Sequence, residues 1–411
     1  MNEADAASAI IEANTLMEQG QLRDAEALYH SVIESEDPIY AQMAMRNLVH
    51  LLFRQDRLTE AEAMCHDAIR ISVPERLPAV HRSLGAVLEK QERYEEASEV
   101  YQLVIDSGDP DEVSAAWLGL GNALTNLHRL SDAENAYRQA IASGTAETMP
   151  YAMRMLASLC VRQDRTDEAE EILGRMIEQG SDEQAGPALA DLGLLLARQG
   201  RFEEAEGYFR AQCVSATGVD AECARFNLAM TMLQQDKLIE AEQTFRATIA
   251  GDSSAHGSLA AVALGATLGR EGRFEEAEEL LNRAVNSAEP YYRARAVYYL
   301  ATVLTLAERL DEAEVQYRGA IAFGQAAIAG PAALSLGVLL LEQDRDEEAQ
   351  TAFRESIAWA KAAEYDMAGG TVEHGVIDLA IGRGSADIIE AASGLLALMA
   401  TDGQADVDGP G

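Results

Sequence analysis

Residues 200–206 read GRFEEAE, and residues 272–278 read GRFEEAE again. The copies stand 72 residues apart, and half that distance gives relatives, DRTDEAE at 164–170 and DKLIEAE at 236–242. Stepping the alanine of this segment by 36 gives Ala25, Ala61, Ala97, Ala133, Ala169, Ala205, Ala241, Ala277, Ala313 and Ala349, with no insertion. A period of roughly 20–50 residues marks a stacked array, in which each unit buries its apolar face against the next and no closed core is needed.

One unit can be read at 115–144. Trp117, Leu120, Gly121 and Leu124 follow the i, i+3, i+4, i+7 spacing of a helical stripe. The pattern breaks at His128-Arg129 and resumes with Ala133, Tyr137, Ala140 and Ile141. Each unit is therefore two antiparallel helices, A and B, joined by a tight turn. A leucine recurs in helix A from Leu48 to Leu336, and the place after it is small, as at Gly85, Gly121, Gly193, Gly265 and Gly337. A small side chain there lets helix B approach. The first unit puts Glu12 in the leucine column, as a solvent-facing end would.

The order W-x2-L-G-x2-L at 117–124, followed by A-x3-Y-x2-A at 133–140, resembles the tetratricopeptide-repeat family. The unit is two residues longer than the family's usual one. The resemblance implies an all-α protein, a right-handed α-solenoid or superhelix of about ten helix–turn–helix repeats over residues 1–361. The period fails after 361, where Glu373 and Ser385 stand in small-residue or alanine columns. Residues 362–400 then read as a degenerate repeat with a C-terminal capping helix, and 401–411, TDGQADVDGPG, have disordered composition.

The seven-letter segment itself is the A–B turn and the first turn of helix B. Gly200 and Gly272 permit a left-handed backbone, and Asp56, Asp164, Asp236 and Asp344 tolerate one. The residue before the register alanine is acidic in all ten repeats, which suits the positive end of a helix dipole. Arg57, Arg93, Arg129, Arg165, Arg201, Arg273, Arg309 and Arg345 stand three residues before that acid, within reach of pairing or of capping the preceding helix. A carboxylate that recurs ten times belongs to the scaffold, so the paired glutamates carry no chemistry.

Composition narrows the function. The chain has 69 Asp and Glu against 32 Lys and Arg, a field that repels phosphate backbones and argues against nucleic-acid binding. Cys65, Cys160, Cys213 and Cys223 form no CxxC pair, and the first three fall in apolar columns, as reduced core thiols would. No signal-like start and no membrane-length apolar run is visible, so a cytoplasmic protein without a membrane partner is expected. The seven histidines show no metal spacing, and no Walker, GxSxG or mechanistic Cys/His pattern is present. The expectation is no enzyme, no cofactor and no metal.

A ligand surface is sought on helix A. With the register alanine at place 20, places 4, 7, 8 and 11 form the packing face and places 2, 5, 6, 9, 12 and 13 lie opposite. The family resemblance implies that the second face lines a concave groove where ligands bind. Its sixty places hold nine cations, Arg46, Arg54, Arg82, Lys90, Arg154, Arg162, Arg198, Arg270 and Arg295, against four acids. His50, Asn122, Asn126 and Asn227 add hydrogen-bonding groups, and Phe226, Met230, Tyr298 and Tyr299 make the later repeats apolar. These residues form the candidate partner-binding set. The expected function is a protein–protein interaction scaffold taking an acidic or phosphorylated segment with apolar residues. The alternative is a ligand-sensing regulator that binds a small peptide and changes superhelical shape. The family's carboxylate clamp for chaperone C-termini is not met, because Arg46 is followed by His50 and Ser83 where asparagines are required. The sequence leaves the oligomeric state open.

Overall fold

The computed structural model describes residues 3–34, 37–71, 73–145, 147–251, 254–286, 290–367 and 385–405. The described residues are helical, with tight turns and no strand. They fall into two compact units, Met1–Ala188 and Leu189–Gly411.

The first unit contains five helix pairs: α1 (Glu3–Glu18) with α2 (Leu22–Ile33), α3 (Pro38–Arg54) with α4 (Leu58–Ile71), α5 (Leu77–Lys90) with α6 (Tyr94–Ser107), α7 (Val113–Asn126) with α8 (Leu130–Ala142), and α9 (Thr148–Arg162) with α10 (Thr166–Gln179). Helix α11 (Asp182–Arg198) spans the division. The second unit continues with α12 (Phe202–Ser215), α13 (Gly218–Gln234), α14 (Leu238–Ile249), α15 (Ser254–Arg270), α16 (Phe274–Val285), α17 (Pro290–Leu306), α18 (Leu310–Ala322), α19 (Ala326–Leu341) and α20 (Asp346–Met367), followed by a C-terminal helix, Ser385–Ala405. Odd-numbered helices are A and even-numbered ones B. Within each unit A packs on its own B, B on the next A, and A helices touch successive A helices, as α5 does α7 and α15 does α17. The proline column opens A helices: Pro38 is the first residue of α3, where Asp37 accepts hydrogen bonds from the Ile39 and Tyr40 N–H groups.

The turn between A and B is the same ten times. Gly20, Asp56, Glu92, His128, Asp164, Gly200, Asp236, Gly272, Glu308 and Asp344 all have φ between 56° and 79°. At each the helix closes with the paired hydrogen bonds of a Schellman motif; Asp56 N–H donates to Phe53 O, and Arg57 N–H donates to Leu52 O. The Arg57 carbonyl then accepts from Ala61 N–H and opens helix B, so one residue ends A and starts B. Glu92, His128 and Glu308 adopt this conformation without being glycine or aspartate, at a cost of about 1–2 kcal/mol each that the flanking helices over-determine.

All ten register alanines are fully buried. Four residues further along B, a large side chain fills the gap over the small place in A. A Cβ added at Gly85 would lie 2.6 Å from the Tyr101 ring, at Gly121 2.5 Å from Tyr137, and at Gly337 2.5 Å from Phe353. In the second repeat the same two places hold Val49 and Cys65, both buried, so volume is conserved while its owner changes.

Most of the turn arginines pair twice. Arg57 Nη2 lies 2.7 Å from Glu60 in its own helix, and Nη1 lies 2.9 Å from Glu26 in the repeat before. Arg93, Arg165, Arg273, Arg309 and Arg345 repeat the pattern, and Lys237 bonds Glu206 at 2.7 Å. Arg138, Arg246 and Arg318 add a second bridge across the same junctions. The result is a ladder of alternating charge stitching successive repeats.

Glu12 is exposed on α1. The C-terminal helix packs mainly on α20 and less on α19. It reaches Ala405, into the stretch read as disordered from residue 401, while Glu373, the link 368–384 and residues 406–411 lie outside the described residues. All four cysteines are free, with Cys65 and Cys160 buried, and burial pushes the Cys65 thiol up to about 12. Among the described residues no helix is long and apolar enough to cross a membrane.

Candidate functional site

The nine cations of the A-helix face divide by depth. Arg54, Lys90, Arg162, Arg198 and Arg270 are exposed and lie in the last turns of their helices, where positive charge complements the helix dipole. Lys90 is further engaged: its Nζ lies 2.9 Å from Asp56 and 4.7 Å above the Phe53 ring. Asn126, also exposed, donates to its own helix at Asn122 O.

Arg46, Arg82 and Arg154 sit deeper, half-buried at one register place. Arg82 pairs with Glu112. Burial lowers the Arg46 guanidinium pKa, Glu112 opposes that, and Arg82 and Arg76 lower it further. His50 is held below its ordinary value by desolvation, then by Arg54 and Arg82. A cavity of about 140 Å³ joins Arg46 and Arg76 to Glu112, Asp109 and Asp111. The first unit thus supplies acids to its own cations from the link before α7. Those acids lie outside the sixty helix-A places, so a count of those places overstates the free positive charge.

Two groove groups are tied into the packing. Tyr101 donates to Glu89 at 3.1 Å, and Tyr137 donates to Asn122 at 3.0 Å. Burial raises the Glu89 carboxyl above the ordinary range, against the hydrogen bonds from Tyr101 and Asn122. Asn122 therefore helps to orient the buried Tyr137.

The second unit brings the apolar candidates together. A cavity of about 390 Å³ is lined by Met230, Leu233, Arg270 and Tyr299 with the small Ala263 and Ala266, from α13, α15 and α17. Another, of about 440 Å³, is lined by Arg295, Tyr298, Tyr299, Leu334 and Val338, with Ile388 of the C-terminal helix at its wall. Tyr299 borders both. The rings of Tyr298 and Tyr299 meet edge to face at 5.0 Å, and Tyr298 lies 6.1 Å from Tyr317. Arg295 is 5 % exposed. Phe226 and Asn227 are buried: the Phe226 ring packs 6.0 Å from Phe245, and the Asn227 amide lies 3.7 Å from Cys223 Sγ. Phe226 therefore serves the α13–α14 packing rather than an open wall. Missed by the sequence reading was Ile388, whose column falls outside the periodic register, and whose apolar neighbours in GLLALM were the only hint.

A family model described as the C-terminal domain of cilia and flagella-associated protein 70 matches residues 2–264, and one described as tetratricopeptide repeat matches residues 262–328. Among solved structures, the apo form of RapI is similar with a TM-score of 0.55 and 12% identity, covering 79% of this chain and 99% of that one. The apo form of the quorum sensor NprR from B. thuringiensis is similar with a TM-score of 0.51 and 13% identity, covering 87% of this chain and 99% of that one. At these identities the likeness is one of fold. No curated protein matches the sequence. Ten identical turns, ten buried alanines and a family match over more than half its length make the chain a member of the tetratricopeptide-repeat family, in the group represented by the C-terminal domain of cilia and flagella-associated protein 70.

Proposed function

We propose that this repeat scaffold binds another protein through the A-helix faces of its two units, taking an acidic or phosphorylated segment on the first and apolar side chains on the second. The observation that carries the reading is the pair of cavities meeting at Tyr299, each large enough for one or two side chains and each carrying one arginine. In a chain of net charge −37, cations gathered on one face are also an electrostatic footprint for an anionic partner. The half-buried Arg46 and Arg154 would hold carboxylates or a phosphate, while Arg54 and Arg162 at the rim would steer them. No catalytic role is assigned to any of these groups.

The test is a pair of anisotropy titrations of the full chain, one with a fluorescein-labelled glutamate-rich peptide for the first unit and one with a labelled Leu-Phe-Leu peptide for the second. The glutamate peptide should bind less tightly as salt rises, since exposed charge is screened within about 10 Å at 0.1 M, and the apolar peptide should depend little on salt. Equal binding of a peptide with lysines in place of the glutamates, or no binding by either, contradicts the proposal. A large change in shape on binding, seen by small-angle scattering, would favour the ligand-sensing alternative.

A further inference from the structure

The charge ladder has a gap. Eight of the ten repeats place a glutamate directly after the register alanine, from Glu26 to Glu314, and the third places Ser98 there. Ser98 Oγ turns back to donate to Tyr94 O in its own helix. Arg129, the turn arginine that would bridge to it, keeps Asp132 at 2.6 Å, and its side chain is 59% exposed against 34% for Arg57.

Two further columns depart at the same junction. Leu103 stands where the other repeats have Ser, Asp, Gln, Arg, Ala, Gly or Glu, and it is 54% exposed. Trp117 is the largest residue of its column. All three changes meet in one notch of about 520 Å³ between α6, α7 and α8, walled by Ser98, Leu103, Trp117, Leu120 and Leu124. It opens on the packing side of helix A, away from the face proposed above. Seven other junctions hold a glutamate paired with arginine or lysine here, and they act as internal controls.

We infer that this notch is a second docking site, for a partner segment that presents one bulky apolar side chain flanked by lysine or arginine. The apolar wall selects the anchor. The rim selects the flanks: Glu99 and Asp132 line it against Arg129, and Glu95 and Asp106 are exposed one helical turn from Glu99 and Leu103. A second copy of this chain would bring like charge to an acidic rim, which disfavours self-association there.

The test uses the full chain and a fluorescein-labelled 12-residue peptide with Phe-Leu at its centre and three basic residues on each side. Anisotropy should show binding that weakens about tenfold or more when Phe-Leu becomes Ala-Ala, or when the flanks become glutamates. Ser98→Glu restores the ladder and closes the notch, and should weaken binding about tenfold while the melting temperature holds or rises. Because it adds an acid, a merely electrostatic attraction would instead strengthen. Leu103→Gln, at an exposed place, should lose binding without loss of fold. Unchanged or tighter binding by Ser98→Glu, equal binding of the Ala-Ala peptide, or no binding by the Phe-Leu peptide overturns the inference. So does sedimentation showing a wild-type dimer that Ser98→Glu dissociates, which would give the notch to a second copy.

Discussion

Arg273 holds Glu242, thirty-one residues earlier, at 2.8 Å, and with its other terminal nitrogen holds Glu276 of its own helix at 2.8 Å. Hydrogen bonds from Arg273, then from Arg246, pull the Glu242 carboxyl down to about 2. Glu206 is also near 2, against burial, through Lys237, Arg210 and Gln235. A carboxyl lowered by folding adds stability that is complete above its unfolded value near 4.5 and is lost as pH falls toward 2. The array should therefore lose stability progressively over that window, and Glu242→Gln should blunt the loss while lowering the melting temperature at pH 7 by about 2 °C. Acid titration by circular dichroism checks this; a flat profile between pH 4.5 and 2 would remove the ladder from the stability account.

Turn conformation gives a prediction of opposite signs. Gly272 has φ of 79° and open space around a virtual Cβ, so Gly272→Ala should cost about 1 kcal/mol from backbone strain alone. Glu308 holds the same turn at 59° and pairs with none of the ladder, so Glu308→Gly should stabilise by a similar amount. Denaturant melts of both variants decide it, and a loss in each would mean the turns are not strained.

Packing at the small column predicts a coupled pair. Gly121→Val drives a branched side chain into the Tyr137 ring and should cost about 2–3 kcal/mol. Adding Tyr137→Cys copies the Val49 and Cys65 combination of the second repeat and should recover more than half of that. A double-mutant cycle with no coupling would deny that the two columns share one space.

The repeat, the helix pairs and their turns could be read from the sequence because each rests on a local rule applied ten times: a positive φ at one place, a fully buried alanine at another. The site was less legible for a physical reason. Glu112 neutralises Arg82 from a link outside the register, and Asp56 takes Lys90 from a turn, so counting helix faces could not see them. Phe226 likewise packs against Phe245 in the next helix, a contact that its own spacing does not reveal. Ser98, by contrast, was visible as a break in an acid column, though only the structure shows that Leu103 and Trp117 meet it.

Removing residues 385–411 should uncover α20 and open the cavity wall that Ile388 forms beside Leu334 and Val338. We expect faster amide exchange in α19 and α20 with no change in α1–α10, because stability in a repeat array is close to a sum over neighbours. Unchanged exchange in α20 would deny the C-terminal helix a capping role.

The most direct measurement is a charge-matched comparison on the proposed binding face. Arg154→Glu with Arg162→Glu reverses two cations on the groove side of α9, while Arg23→Glu with Arg175→Glu reverses two exposed cations on B helices; the turn arginines cannot serve as controls because they carry the ladder. Anisotropy with the glutamate-rich peptide should show about tenfold or greater weakening for the first pair and little change for the second. Tyr298→Ala should weaken the Leu-Phe-Leu peptide with little dependence on salt. Equal weakening by both arginine pairs would mean that the peptide reads net charge alone, and would contradict a binding face on the A helices.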